Sequence, residues 1–193
     1  MRAWRTGYRL TAILLIAGAL GGGCASSRKS GFVHPGVDFG FIRRVAILPF
    51  QNLSPDEYAD ERIHSIFMME ILEEGSLELV GTGEVLAAML ELRLMADSDL
   101  SPAQLVSLGQ RLGVDALFFG TVEEYGMDRS SRDRGNEVTA LFGLAETETG
   151  TAVWQSQVNV TGMSTWKRLF GGSSASLHEV SRKSVREALG TLL

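Results

Sequence analysis

The sequence has few of the residues from which metal centres and most active sites are built. Its 193 residues include one cysteine and three histidines, His34, His64 and His178, which fall in different predicted elements. No two histidines have the i, i+4 spacing of a metal-binding helix, and the sequence contains neither a P-loop nor a G-x-S-x-G nucleophile motif. It therefore predicts a protein that is not an enzyme and that carries no metal or cofactor.

Two pairs of adjacent acids do not make up for this shortage. Glu73 and Glu74 fall on a predicted helix, and Glu123 and Glu124 fall on a predicted strand. Adjacent side chains diverge on a helix and point to opposite faces of a strand, so neither pair converges on one substrate atom. We expect all four carboxylates to lie in water.

Basic residues are scarce as well. The chain has 18 Lys and Arg against 23 Asp and Glu, and Arg2, Arg5 and Arg9 belong to its first 23 residues. Without residues 1–23 the balance is 15 basic against 23 acidic residues, a formal charge of −8. A net acidic body argues against nucleic acid as a partner and against electrostatic adhesion to anionic lipid, because both require a basic surface.

The first 23 residues have the pattern of a secretory signal. Three arginines precede an apolar run, Leu10–Leu20, which gives way to small residues. The run is too short to cross a bilayer comfortably, since a spanning helix takes about 20 residues. We therefore predict that residues 1–23 are a signal peptide.

The signal ends at Cys24, which is the single cysteine and can form no internal disulfide. A secretory signal ending on cysteine resembles a bacterial lipobox, in which the thiol accepts diacylglycerol, although Gly21 stands where a lipobox usually has leucine. The alternative is an ordinary signal with an incidental thiol. Lipidation is preferred because an unpaired exported thiol is a liability. The resemblance implies a covalent lipid on Cys24 as membrane anchor, and Ala25 points to the outer membrane.

The rest of the chain divides into a linker and a domain. Residues 24–41 are rich in Ser, Gly, Lys and His, contain Pro35 and show no periodicity, which predicts a flexible tether. Such a tether could hold the domain several nanometres from the membrane, at about 3.3 Å per residue. Residues 42–193 are enough for one domain with one core.

Apolar runs and helix caps alternate along this domain. Ala116–Phe119 is a continuous apolar run within Leu112–Tyr125, which predicts a central strand covered on both faces, with Thr121–Glu124 leaving the core. The other predicted elements are a strand at Arg43–Phe50, a helix from a Ser54–Glu57 capping box to Glu74, a strand at Leu77–Val80, helices from Thr82 and from Ser101, strands at Val138–Ala145 and Ala152–Val160, and a helix opened by the Ser176–Glu179 capping box. We predict a single α/β domain with a mixed β-sheet of about five strands flanked by helices, a C-terminal β-hairpin and a closing helix.

Short motifs give this domain a family resemblance. They are RVAILPFQN at Arg44–Asn52, LGVDA at Leu112–Ala116 leading to GTV at Gly120–Val122, and ETG at Glu148–Gly150 followed by Val153 and Trp154. The motifs look like the core of the CsgG-like and LpoB-like bacterial envelope lipoproteins, and the amino-terminal domain of TolB is similar in fold. The resemblance covers residues 43–193.

The resemblance implies a role in the cell envelope. It predicts a periplasm-facing lipoprotein of the outer membrane that acts without catalysis, as a scaffold or activator of an envelope protein complex. The alternative is a subunit of an oligomeric CsgG-like export channel. A channel would be a homo-oligomeric ring of many copies, whereas a scaffold or activator would be present as one or a few copies beside an unlike partner. Neither Met127–Gly135 nor Gly162–Ala175 could hold an inserted membrane-spanning hairpin, which makes the channel the weaker alternative.

One loop has the composition of a contact site. Between Gly162 and Ala175 it carries adjacent aromatic, apolar and basic residues, namely Trp166, Lys167, Arg168, Leu169 and Phe170. Aromatic and basic side chains in a glycine-flanked loop suit contact with a partner protein or with a membrane interface. The alternative is that the two aromatic rings fold back onto the domain's own core. The sequence leaves both interpretations open.

Overall fold

A single seven-stranded sheet organises the chain in a computed structural model, which describes residues 27–35, 39–95, 99–127, 135–163 and 174–192. The strands are β1 (Ser27–Val33), β2 (Arg44–Ile47), β3 (Gln51–Asn52), β4 (Glu78–Leu79), β5 (Ala116–Met127), β6 (Asn136–Glu146) and β7 (Ala152–Thr161). The helices are α1 (Ala59–Glu74), α2 (Thr82–Glu91), α3 (Pro102–Leu112) and α4 (Leu177–Leu189), with a short 3-10 turn at Phe39–Phe41. The strand order is β1-β7-β6-β5-β2-β4, and β3 also pairs with β5. The predicted single-domain mixed α/β fold is confirmed.

Strand β5 is central, as its apolar run predicts. It pairs in parallel with β2 and β3 on one side and antiparallel with β6 on the other. Leu117 packs under α2 and α3, whereas Phe118 packs on the opposite face, so the strand is covered on both faces. The expectation that the chain leaves the core at Thr121–Glu124 is wrong. Strand β5 continues to Met127 because β6 pairs with its polar half, and Val122 is fully buried there.

Two cores lie on the two faces of the sheet. The larger one joins the antiparallel half of the sheet to α1 and α4, and Phe67, Phe118 and Phe142 form its aromatic centre. The rings of Phe67 and Phe142 stack at 5.1 Å between centroids. The smaller core lies between β2, β5 and helices α2 and α3, and it includes Leu108 and Leu117.

Helix caps are confirmed at two of the three predicted positions. Ser101 with Gln104, and Ser176 with Glu179, form capping boxes at the starts of α3 and α4. The capping box predicted at Ser54–Glu57 is wrong, since α1 begins at Ala59. The backbone N and the hydroxyl of Ser54 both donate to the Asn52 side-chain oxygen, at 3.0 and 2.8 Å, and this local pairing holds the segment in a turn.

Strand β1 falls inside the segment predicted to be a tether. Residues Ser27–Val33 pair antiparallel with β7 from Val160 to Trp154, and the His34 backbone N donates to the Val153 carbonyl at 2.9 Å. This part of residues 24–41 is therefore ordered in the sheet. Its sequence shows no alternation of apolar and polar residues. The strand forms through backbone pairing with the edge of β7, which does not require such a pattern.

Charged side chains join α1 to α4. Glu70, whose side chain is 9% exposed, accepts hydrogen bonds from Arg182 at 2.6 Å and from Arg186 at 2.7 Å. Glu73 accepts from the same two arginines, at 2.8 and 3.4 Å. Burial raises the pKa of the Glu70 carboxyl, but the two arginines outweigh burial, so its pKa lies below the ordinary value of 4.5.

A second titratable group on α1 is His64. Its ring packs edge-on against Phe50, with 5.2 Å between ring centroids, at the edge of the helix's buried stripe as predicted. Burial lowers the pKa of His64 below the ordinary 6.5 and outweighs the raising effects of the Ile47 backbone and the Asp60 charge. The ring is therefore neutral at pH 7.

We expect acid to destabilise the fold in two stages. Both pKa values are depressed by folding, so each group stabilises the fold above its unfolded pKa and loses that stabilisation as the pH falls towards its folded pKa. The first stage, from His64, begins as the pH falls past 6.5, and the second, from Glu70, begins near 4.5. Urea unfolding between pH 8 and pH 3 measures both.

Two variants test which side chain causes each stage of the acid destabilisation. His64→Phe should flatten the first stage, and Glu70→Gln should flatten the second while lowering stability at neutral pH by about 1 kcal/mol through weaker hydrogen bonds to the arginines. A pH profile that both variants leave unchanged would contradict the assignment.

Candidate interaction surface

A cleft of about 260 Å³ lies where the chain leaves β2, at the carboxyl ends of the parallel strands. Most of its lining is apolar and includes Leu48, Met89 and Phe119. A polar pair stands at one side, where the Gln51 amide donates to the Asp99 carboxylate at 3.0 Å. Open α/β sheets commonly bind their ligands at this end of parallel strands. An apolar cleft with one polar side suits the side chain of a partner protein.

Gly143 on β6 leaves room for the ring of Phe119, which forms part of the cleft wall. A Cβ atom at Gly143 would overlap the ring of Phe119, which lies directly over this position. The backbone of β6 therefore leaves space for the aromatic ring beside the cleft. Phe119 was predicted as part of the apolar run of β5, but no pattern in the sequence connects it with a glycine 24 positions further on.

Two strongly exposed apolar side chains lie at or next to the rim of the cleft. Leu90, which follows the cleft-lining Met89 on α2, is 77% exposed, and Met95 on the rim is 66% exposed. Val85 and Met89 of the same helix are buried, so α2 has one apolar side in the core and another at the surface. Exposed large apolar side chains grouped beside a cleft are typical of contact surfaces.

The antiparallel half of the sheet has a polar face beside this cleft. Among the described helices, α1 and α4 pack on its other face. Carboxylates on the polar face are held by neighbours across the strands: Gln157 donates to Glu123 at 3.0 Å, Thr139 donates to Glu124 at 2.9 Å, and Asn159 donates to Glu137 at 2.7 Å.

The two neighbouring acids of β5 correct a sequence expectation. Glu123 and Glu124 were expected on opposite faces of a strand, but both accept hydrogen bonds on the polar face. The cause is a bulge in the pairing with β6, which shifts its register between Val122 and Glu124. Both carboxylates have polar neighbours, and neither faces an apolar pocket.

The residues singled out from the sequence, Cys24 and Trp166–Phe170, lie outside the described residues. The flanks of the second segment are described. The Gly162 backbone N donates to the Asn136 carbonyl at 2.7 Å, and the Asn136 backbone N donates to the Ser174 hydroxyl at 3.2 Å. Both flanks therefore lie at the end of the sheet where β6 begins and β7 ends.

Chemical groups in the described ranges do not converge on a reaction centre. No cluster of three or more His, Cys, Asp or Glu side chains in those ranges could hold a metal ion. In the same ranges, none of the helices combines the length and the apolar composition that crossing a bilayer requires. The arrangement of the described residues defines a class of protein, an α/β domain with surfaces suited to contact.

A comparison of this sequence with protein-family models identifies its family. The chain belongs to the LpoB family, because the family model described as peptidoglycan-synthase activator LpoB matches residues 39–160. This match supports the LpoB side of the resemblance seen in the sequence and gives no support to its CsgG side. A search of the curated proteins finds no significant match.

Solved structures share the fold. The PelC dodecamer from Paraburkholderia phytofirmans is 18% identical, with a TM-score of 0.55 over 86% of this chain and 97% of that chain. Lipoprotein GNA1162 from Neisseria meningitidis is 19% identical, with a TM-score of 0.54 over 77% and 99%. The LpoB C-terminal domain from Salmonella enterica is 13% identical, with a TM-score of 0.50 over 66% and 87%. At these identities the likeness is one of fold.

Proposed function

We propose that this protein is a lipoprotein of the outer membrane, anchored through Cys24 and facing the periplasm, that activates a peptidoglycan synthase by protein contact. The observation that carries the proposal is the match to the peptidoglycan-synthase activator family over residues 39–160, which covers most of the folded domain. The protein takes no catalytic part in this proposal. It acts by binding the synthase and favouring its active conformation.

The cleft and its rim are the contact surface in this proposal. Leu90 and Met95 supply exposed apolar area, and the cleft beside them can receive an anchoring side chain. Binding energy in protein interfaces concentrates in a few such anchors. The Gln51–Asp99 pair at the cleft's polar side can align a partner's polar group.

Introducing a negative charge at the rim tests whether this surface contacts the synthase. We expect Leu90→Asp to weaken stimulation of the synthase about tenfold, which corresponds to roughly 1.4 kcal/mol of lost binding free energy. Because the side chain is 77% exposed, the substitution should leave the fold intact. The measurement is the concentration of purified lipoprotein that half-maximally stimulates glycan polymerisation by a peptidoglycan synthase from the same organism.

Leu72→Asp is the matched control. Leu72 is 51% exposed on α1, which packs on the opposite face of the sheet from α2. This variant should stimulate as the unchanged protein does. Equal losses of stimulation in both variants would indicate that the contact surface is not at the cleft. An unchanged protein that neither binds nor stimulates the synthase would refute the activator role.

Self-association is a separate part of the proposal. The PelC dodecamer has this fold, which supports testing whether copies of this chain also assemble. The native mass of the lipid-bearing protein in mild detergent decides between a homo-oligomer and a small species bound to one unlike partner. The export-channel alternative has no support from the family match and is not proposed.

A further inference from the structure

We infer that one end of the sheet, the end at which β1 begins, lies against the lipid bilayer. This surface is called the anchor end. It is defined by a row of paired residues across four strands: Ser27 pairs with Val160, Val160 with Val138, and Val138 with Tyr125. The inference rests on the proposed lipidation of Cys24 and adds the surface by which the domain meets the membrane.

The length of chain between the lipid and the sheet is the first argument. Ser27, the first residue of β1, is three residues after Cys24. Three residues span at most about 11 Å even when fully extended. An acylated Cys24 would therefore hold the first row of the sheet within about 1 nm of the headgroups, and the several nanometres expected from a long tether do not apply.

Exposed apolar side chains at the same end are the second argument. Leu53 is 69% exposed, Met127 is 59% exposed and Tyr58 is 50% exposed. All three are positioned by β5: Met127 is its last residue, and the Leu53 backbone N donates to the Val122 carbonyl at 2.8 Å. Tyr58 is linked through Arg62, whose guanidinium lies 6.0 Å from the Tyr58 ring and 5.8 Å from the Tyr125 ring.

These side chains match the chemistry of a bilayer surface. Leucine and methionine can enter the boundary between headgroups and acyl chains, and tyrosine is enriched at that depth because it has an apolar ring and a polar tip. The covalent lipid would supply the attachment, and the apolar side chains would set the orientation.

The orientation constrains the partner. With the anchor end on the membrane, the turn between β6 and β7 points away from it, about 33 Å along the ten residues of β7. A domain held this close cannot reach far into the periplasm. The synthase segment that it contacts must itself lie close to the membrane that carries the lipid.

Site-specific labels test the orientation in the lipidated protein. Cys24 is the only cysteine, so its acylation leaves the mature protein without a free thiol, and one introduced cysteine can be labelled uniquely with a nitroxide. The label positions are Leu53→Cys and Met127→Cys, with Glu148→Cys in the exposed β6–β7 turn as control. Each protein is reconstituted into vesicles of phosphatidylethanolamine and phosphatidylglycerol.

The expected result is a several-fold lower accessibility to a water-soluble nickel relaxant at positions 53 and 127 than at position 148. The same labels on Cys24→Ser protein in solution should all be accessible. Equal accessibility at all three positions in a protein whose mass includes the lipid would overturn the inference and leave the anchor intact. A mature mass without lipid would overturn the anchor and the inference with it.

Discussion

Replacing Trp154 with alanine should lower the free energy of unfolding by about 3–5 kcal/mol. The indole is fully buried, and it meets Phe118 edge-on with 6.4 Å between ring centroids. Its Nε1 donates to the Thr191 hydroxyl at 3.0 Å, which ties the residues after α4 to β7. Alanine would leave a large cavity at this junction and remove the hydrogen bond. Urea unfolding followed by far-ultraviolet circular dichroism measures the loss without relying on tryptophan fluorescence.

Trp154→Phe separates the two contributions. Phenylalanine keeps a ring in the pocket but has no N–H group, so it should lose less than alanine, about 1–2 kcal/mol. Thr191→Val, which removes the acceptor from the other side, should cost about 1 kcal/mol. A loss below about 1 kcal/mol in Trp154→Ala would contradict the placement of the indole in the core.

The elements with a strong local signal were predictable from the sequence. The continuous apolar run at Ala116–Phe119 predicted β5, and the serine-based capping boxes at Ser101 and Ser176 predicted the starts of α3 and α4. In these places the residues that determine the element are close in sequence. The same holds for the hairpin of β6 and β7, whose strands are joined by a five-residue turn.

The features that escaped prediction depend on distant partners. Ser27–Val33 becomes a strand only because β7 presents a free edge, and a segment with lysine, serine and glycine gives no sign of this. The bulge that brings Glu123 and Glu124 to one face arises from the pairing with β6. Local periodicity cannot report either pairing.

The candidate cleft also could not be predicted from local sequence patterns. On α2 the sequence shows Val85, Leu86, Met89 and Leu90 as one apolar group, and only the packing decides that the first and third are buried while the other two are exposed. The close approach of Phe119 to Gly143 joins two strands. The anchor end likewise emerges only when the register of four strands is known.

Cys24→Ser should transfer the protein from the membrane fraction to the soluble periplasmic fraction. Serine has no thiol to accept diacylglycerol, so the signal would lose its lipidation site. At about 0.8 kcal/mol per buried CH₂ group, the acyl chains supply far more membrane affinity than three exposed side chains such as Leu53, Tyr58 and Met127 can. Fractionation of cells that express the variant, with immunoblotting against the domain, measures the transfer.

Ala25→Asp is the matched control for this experiment, because it keeps the thiol and changes only the neighbouring residue. In an enterobacterial host it should remain membrane-bound but move from the outer to the inner membrane, as the sorting pattern implies. If Cys24→Ser protein from which residues 1–23 have been cleaved stays with the membranes, lipid is not the anchor. Salt extraction of that variant then separates a charge-based attachment from an apolar one, since salt screens only charges.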